Sequence, residues 1–182
     1  MGFMYSSDHL REVLQGLQGA GLTVNPNKCA VAKQETEYLG YVIGQGVVRP
    51  QVKKLQVLEK CVVPQTCKDL CSFLGMAGFY HRFVRNFSSR AAPLTDMVGA
   101  RCPNRLQWTE ERLKAFRDIQ GALTTDTVLH NPDFNRPFVV QTDASERGVG
   151  AVLLQGPPES RQPVAYISRK LSKRDCPIIS EK

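Results

Sequence analysis

A chain of 182 residues, 42% of them apolar, has room for one or two small domains with real cores, which excludes bulk disorder. No apolar run approaches the length of a membrane span, and the N-terminus lacks the basic start and apolar core of a secretory signal, so an intracellular protein is expected. The net charge of +7 is uneven: from Arg49 to Arg105 stand ten basic residues (49, 53, 54, 60, 68, 82, 85, 90, 101 and 105) against Glu59, Asp69 and Asp96, so the whole excess falls there and the remainder is neutral. A localised basic segment is a candidate surface for a polyanion.

In chain order, Ser7 or Asp8 is placed to cap a helix bearing Leu10, Val13, Leu14 and Leu17 at helical spacing, which Gly21 ends. Cys29 to Ala32 and Tyr38 to Ile43 read as antiparallel strands joined by a polar turn over Lys33 to Thr36, with Val47-Val48 as a short third strand. Pro50 suits the first turn of a helix carrying Val52, Leu55, Val57 and Leu58. Thr66 with Asp69 three residues on forms a capping box for a helix whose apolar stripe runs through Leu70, Phe73, Leu74, Ala77, Tyr80 and Val84. Phe79, Phe83, Arg82 and Arg85 fall off that stripe. A short helix from Ser88, with Ala91, Leu94 and Met97, ends at Gly99. After a polar linker, Thr109 caps a helix facing inward with Leu113, Phe116, Ile119, Ala122 and Leu123, and Trp108 can staple onto Leu113. Residues 129–133 read as a turn.

The last part reads as the start of a three-stranded meander: Phe138 to Thr142, Val149 to Leu154 and Pro163 to Ser168. Asp143 is the odd residue, an acid at the end of an apolar strand, where an unpaired carboxylate is costly to desolvate. Either a divalent metal such as Mg²⁺ compensates it, or it caps the turn by accepting backbone N–H groups. Gly148 and Gly150 keep the neighbouring strand thin, so another backbone or a ligand can approach.

Six cysteines, at 29, 61, 67, 71, 102 and 176, are expected as reduced thiols, with Cys67 and Cys71 packing on one helix face. The three histidines do not complete a zinc site with them. Aromatics interleaved with arginines suit a nucleic-acid surface, because rings stack and guanidinium groups pair phosphates. Lys53, Lys54, Lys68, Phe79, Arg82 and Arg85 are the candidates; the alternative for each is core packing or a solvated face.

The order of Asn25-Pro-Asn-Lys-Cys29, Tyr38-Leu-Gly-Tyr-Val-Ile43, Phe73-Leu-Gly-Met-Ala-Gly-Phe-Tyr-His-Arg-Phe83, Ala92-Pro-Leu-Thr-Asp96, Trp108-Thr-Glu-Glu111, Gln141-Thr-Asp-Ala-Ser145 and Val164-Ala-Tyr-Ile-Ser-Arg-Lys-Leu171 resembles the reverse transcriptase–RNase H region of gypsy-type LTR retrotransposon Pol polyproteins. The resemblance is collinear and covers nearly the whole chain. It implies an α+β fold in parts: residues 1–48 as the end of the polymerase palm (a helix plus a β-hairpin), 49–100 as a helical thumb, 101–107 as a linker, and 108–182 as the first strands of an RNase H-like domain. It implies that the basic excess grips an RNA–DNA hybrid or template–primer duplex, and that the remainder of the Pol polyprotein is a partner.

It also implies that Asp143 is the first catalytic and metal-binding aspartate of an Mg²⁺-dependent ribonuclease H. The family's Tyr-x-Asp-Asp turn has no counterpart before Ser7, where Tyr5-Ser6-Ser7 resembles the following strand, and Glu181 resembles the non-ligand glutamate preceding the next acid. The expectation is a region of an RNA-directed DNA polymerase with RNase H that is inactive alone, with self-association through an uncovered sheet edge. The alternatives are a co-opted binding module without chemistry, and a small Mg²⁺-dependent nuclease joining Asp143 to Asp133, Glu146 or Glu181.

Overall fold

The computed structural model describes residues 7–99, 105–125, 128–145 and 148–172. The expectations at Tyr5, Ser6, Cys102, Glu146, Cys176 and Glu181, and most of the linker, lie outside these residues. Helix α1, Ser7–Gly19, forms where its spacing placed it, and Gly21 follows at φ +70°. Its apolar face is not core: Leu10, Val13 and Leu14 are exposed, and none of the helix is buried.

The first sheet corrects the expected hairpin. Residues 29–32 carry no strand; β1 is Glu35–Tyr38 and pairs antiparallel with β2, Tyr41–Gly44. The turn is Leu39-Gly40, with φ +46° and +86°, and a two-residue turn with both φ positive matches the twist of paired strands. The polar Glu35 and Thr36 therefore belong to an outward-facing strand, where Glu35 pairs with Arg49 at 2.7 Å. Gln45-Gly46 turns the chain again, into β3, Val47–Pro50. Pro50 is the buried end of that strand rather than a helix start; helix α2 is Val52–Glu59. The expected turn at 129–133 begins instead with β4, Leu129–His130, which pairs with Val48 and Val47 and satisfies the free edge of β3. The sheet order is β1-β2-β3-β4.

Helix α3, Cys67–Phe79, starts on the expected capping box: Thr66 Oγ1 accepts the Asp69 N–H, and the Asp69 carboxylate accepts the Thr66 N–H. The stripe runs on past the α-helix. Tyr80 ends it, and a 3₁₀ turn over His81–Phe83 tightens the winding, which swings Phe83 inward to 2% exposure against its expected position off the stripe. Helix α4 is Phe87–Thr95, one residue earlier than expected, with Asn86 as its N-cap. Helix α5, Glu110–Thr124, is capped by Thr109 as expected.

Leu58, Leu70, Phe73, Leu94, Phe116, Ile119, Leu123 and Leu129 are fully buried and form one core from α2, α3, α4, α5 and β4. Each such side chain contributes roughly 1.5–3 kcal/mol by leaving water. Phe73 and Phe116 meet at 4.6 Å between ring centroids. Trp108 packs edge-on to Phe116 and donates its indole N–H to the Pro64 carbonyl at 2.7 Å. Gln120 donates to the carbonyls of Leu58, Glu59 and Cys61, tying α5 to the end of α2. Two cysteine expectations are corrected: Cys67 is disulfide-bonded, and Cys71 is exposed rather than packed. Sequence spacing carries no information about which distant thiols a fold brings together.

The meander forms as expected. Strands β5 (Val139–Ser145), β6 (Gly148–Gln155) and β7 (Gln162–Lys170) make an antiparallel sheet in that order. Asp143 lies opposite Gly150, and Gly150 opposite Ser168. Gln155 is buried and grips the preceding turn, accepting the Asp133 N–H and donating to the Asp133 carbonyl, both at 2.8 Å. Helix α4 packs across β6 and β7. Among the described residues no helix is long and apolar enough to cross a membrane.

Candidate functional site

Asp143 sits near the end of β5 with its side chain exposed beside the N-terminus of α4. Its Oδ2 accepts a hydrogen bond from Asn86 Nδ2 at 2.8 Å. Between the helix and the hairpin is a cavity of about 360 Å³ lined by Asn86, Ser89, Arg90, Asp143, Ser145 and Gly148, among others. The glycines make this approach possible. A Cβ on Gly150 would stand 2.0 Å from Asn86 Oδ1, and one on Gly148 would stand 2.6 Å from Ser89 Oγ. The thin strand read from the sequence thus admits the start of α4.

Asp143 does not meet further acids there. Among the described residues no group of three or more His, Cys, Asp or Glu could hold a metal ion. Asp133 is committed to its own turn, accepting the Asn135 N–H at 3.1 Å and facing Arg136 at 3.2 Å. Glu146 and Glu181 are outside the described residues. A two-metal centre needs several carboxylates to hold its ions, and among the described residues one carboxylate beside amide and hydroxyl groups and the Arg90 guanidinium does not fit it.

Of the predicted nucleic-acid residues, Lys53 and Lys54 lie on α2, Lys68 in the first turn of α3, Arg82 in the 3₁₀ turn and Arg85 just before α4. All five are exposed and make no ion pair among the described residues. Arg49, by contrast, is held by Glu35, and Arg90 pairs with Asp118 of α5 at 3.6 Å. Arg85 is the one the structure brings to Asp143: the two line a small cleft with Asn86 and Gln141. Phe79 is half exposed and stacks on Tyr41 at 5.2 Å with a 15° interplanar angle, so one face of its ring is already taken.

Sequence reasoning missed Asn86, Ser88, Ser89 and Ser168. Ser88 donates its backbone N–H to Ser168 Oγ at 2.9 Å, and its own hydroxyl donates to the Ser168 carbonyl at 3.0 Å. The signal for the helix start was present in Asn-Phe-Ser-Ser, but nothing local says that its partners lie some 80 residues on.

Comparison with known proteins shows what the chain is similar to. Residues 108–178 match the family described as an RNase H-like domain found in reverse transcriptase. The chain is 32% identical over 176 residues to the retrovirus-related Pol polyprotein from transposon opus of Drosophila melanogaster, covering 92% of this chain and 18% of that protein. It is likewise 32% identical to the Pol polyprotein from transposon gypsy of the same organism, over 92% of this chain and 17% of the relative. This chain therefore spans less than a fifth of the length of either relative. A foamy viral protease-reverse transcriptase in complex with RNA/DNA hybrid matches with a TM-score of 0.73 and 28% identity, over 94% of this chain and 24% of the viral one.

Proposed function

We propose that this chain, which corresponds to the reverse transcriptase–RNase H region of gypsy-type LTR retrotransposon Pol polyproteins, grips an RNA–DNA hybrid through a thumb-like helical segment. The observation that carries the reading is the cation set Lys53, Lys54, Lys68, Arg82 and Arg85, without an ion pair among the described residues and all exposed in a segment that holds the chain's whole charge excess. Such cations bind phosphates, and contact through phosphates is blind to sequence and weakened by salt. The viral structure in complex with RNA/DNA hybrid supports the choice of ligand. Template–primer duplex is a second ligand of the same chemistry.

The parent activity of this region is RNA-directed DNA polymerase with ribonuclease H. The described residues supply the grip and one acid, Asp143, of the hydrolytic chemistry. Purified chain mixed with labelled RNA–DNA duplex in Mg²⁺, at low and moderate salt, tests both parts. The expected result is salt-sensitive binding with no cleavage. Indifference to the duplex would overturn the grip. Cleavage that is lost in Asp143→Asn would show that acids outside the described residues complete a nuclease.

A further inference from the structure

We propose that Tyr41 and Tyr80 are positioning residues for the hybrid grip: they lock the tip of the first hairpin to the end of α3 and so hold the Phe79 ring in place for the nucleic acid. The inference deepens the reading above and rests on it. It begins with backbone groups that need partners. The last carbonyls of a helix have none within it, and Phe79 is the last residue of α3. The Tyr41 hydroxyl, from β2, donates to the Phe79 carbonyl at 3.2 Å. In the opposite direction, the Tyr80 hydroxyl donates to the carbonyl of Gly40, in the β1–β2 turn, at 3.2 Å. Each element thus gives one tyrosine and one carbonyl, and neither can shift against the other without breaking both bonds.

The same turn is held from a third side. The Gly40 carbonyl also accepts the backbone N–H of Gln51, the N-cap of α2, at 3.1 Å. Gly40 stands at φ +86°, and a Cβ on it would lie 3.2 Å from Phe79 Cε1 and 3.3 Å from the Tyr80 hydroxyl oxygen, so glycine serves both the turn and the close approach. The rings close the joint: Tyr41 stacks on Phe79, Tyr80 meets Phe79 edge-on at 4.9 Å, and Tyr41 stacks on Phe83 at 5.7 Å. Tyr80 and Phe83 are buried, whereas half of Phe79 faces solvent. A ring already held by its neighbours loses little freedom when a base or a sugar packs on its open side.

The joint predicts a loss of affinity that is neither a loss of folding nor a loss of charge. Tyr41→Phe combined with Tyr80→Phe keeps both rings and removes both hydroxyl bonds. Fluorescence anisotropy of a labelled RNA–DNA hybrid across a salt series reads binding by the full chain, and urea unfolding of the same samples reads the fold. The double variant is expected to stay folded and to bind about tenfold more weakly, the scale of one lost ring contact, with an unchanged salt slope because the cations are untouched. Phe79→Leu is expected to lose about as much. Adding Phe79→Leu to the double variant is expected to lower affinity no further, since residues that act as one unit are non-additive.

Wild-type affinity in the double variant would overturn the positioning role. So would full additivity with Phe79→Leu, which would make the ring's contribution independent of the joint. A fall in affinity that disappears once corrected for the folded fraction would overturn it too, leaving the two tyrosines as structural residues. Should the double variant not fold at all, Tyr41→Phe alone gives up one bond and is expected to bind about threefold more weakly, judged on the same terms. A wild-type chain indifferent to the hybrid would overturn the grip itself and this proposal with it, whereas the other results leave the grip standing.

Discussion

Replacing Arg82 and Arg85 together with alanine should flatten the salt dependence of hybrid binding by an amount that the structure sets. Each phosphate contact contributes about −0.9 to the slope of log K against log salt on a duplex. Five exposed cations without ion pairs among the described residues give a slope of about −4.5 if each meets a phosphate, and three give about −2.7. Between about 50 and 200 mM salt, wild type should lose roughly 500-fold in affinity and the double variant only about 40-fold. Arg49 is the internal control. Its guanidinium is spent on Glu35 at 2.7 Å, so Arg49→Ala should leave the slope almost unchanged. Fluorescence anisotropy of a labelled hybrid across a salt series measures all three proteins. A double variant with the wild-type slope, or an Arg49→Ala slope that falls as far, would refute the assignment of the grip to unpaired cations.

The core makes simpler predictions. Phe73→Ala removes a fully buried ring packed on Phe116 and should cost about 3–5 kcal/mol in urea unfolding. Gln120→Leu keeps the volume of the side chain and takes the side-chain donor from the Cys61 carbonyl, while the Leu58 carbonyl keeps the Cys61 N–H, a loss of about 1–3 kcal/mol by the same assay. Burial, with a smaller push from Asp69, raises the pKa of the Cys61 thiol, and burial, with Tyr41 adding, raises that of the Tyr80 phenol. Groups raised on folding give stability that is full below their ordinary pKa and lost as pH climbs through the folded value, so the melting temperature should fall above about pH 9. At neutral pH, iodoacetamide should accordingly label Cys61 more slowly than the exposed Cys29, as followed by mass spectrometry of tryptic peptides.

What was legible in the chain was whatever its own neighbours decide. The Thr66–Asp69 box and the Thr109 cap each contain their own partners, the apolar run from Val149 to Leu154 lies one short turn from its pairing strand, and each formed where it was read. The failures share the opposite property. Leu39-Gly40 was hidden inside an apolar run because leucine at positive φ is not a usual turn residue, and the true turn displaced a strand by several residues. Leu129 and His130 become a strand only because β3 offers an open edge. At the candidate site, Asp143 and its two glycines could be singled out by their chemistry. Asn86 and Ser168 could not, since their value lies in a contact between segments that are distant in the chain.

The contact between Asn86 and Asp143 bears on nucleic-acid binding. Residues 85 and 86 are adjacent, yet one is a cation with no ion pair among the described residues and the other holds the acid: Arg85 lines the same cleft as Asp143. A duplex phosphate drawn to Arg85 therefore arrives near a carboxylate of its own sign. The Asn86 amide and the helix end temper that charge without cancelling it. At a separation of about 7 Å in water, two unit charges repel by roughly 0.6 kcal/mol, which is a factor of two to three in affinity. Asp143→Asn removes the repulsion while keeping an acceptor for Asn86, so in EDTA it should bind the hybrid about two- to threefold more tightly than wild type, and the gain should shrink at higher salt. Equal or weaker binding by Asp143→Asn would mean that the phosphates do not pass this cleft, and the path of the duplex would have to be drawn through Lys53, Lys54 and Lys68 alone.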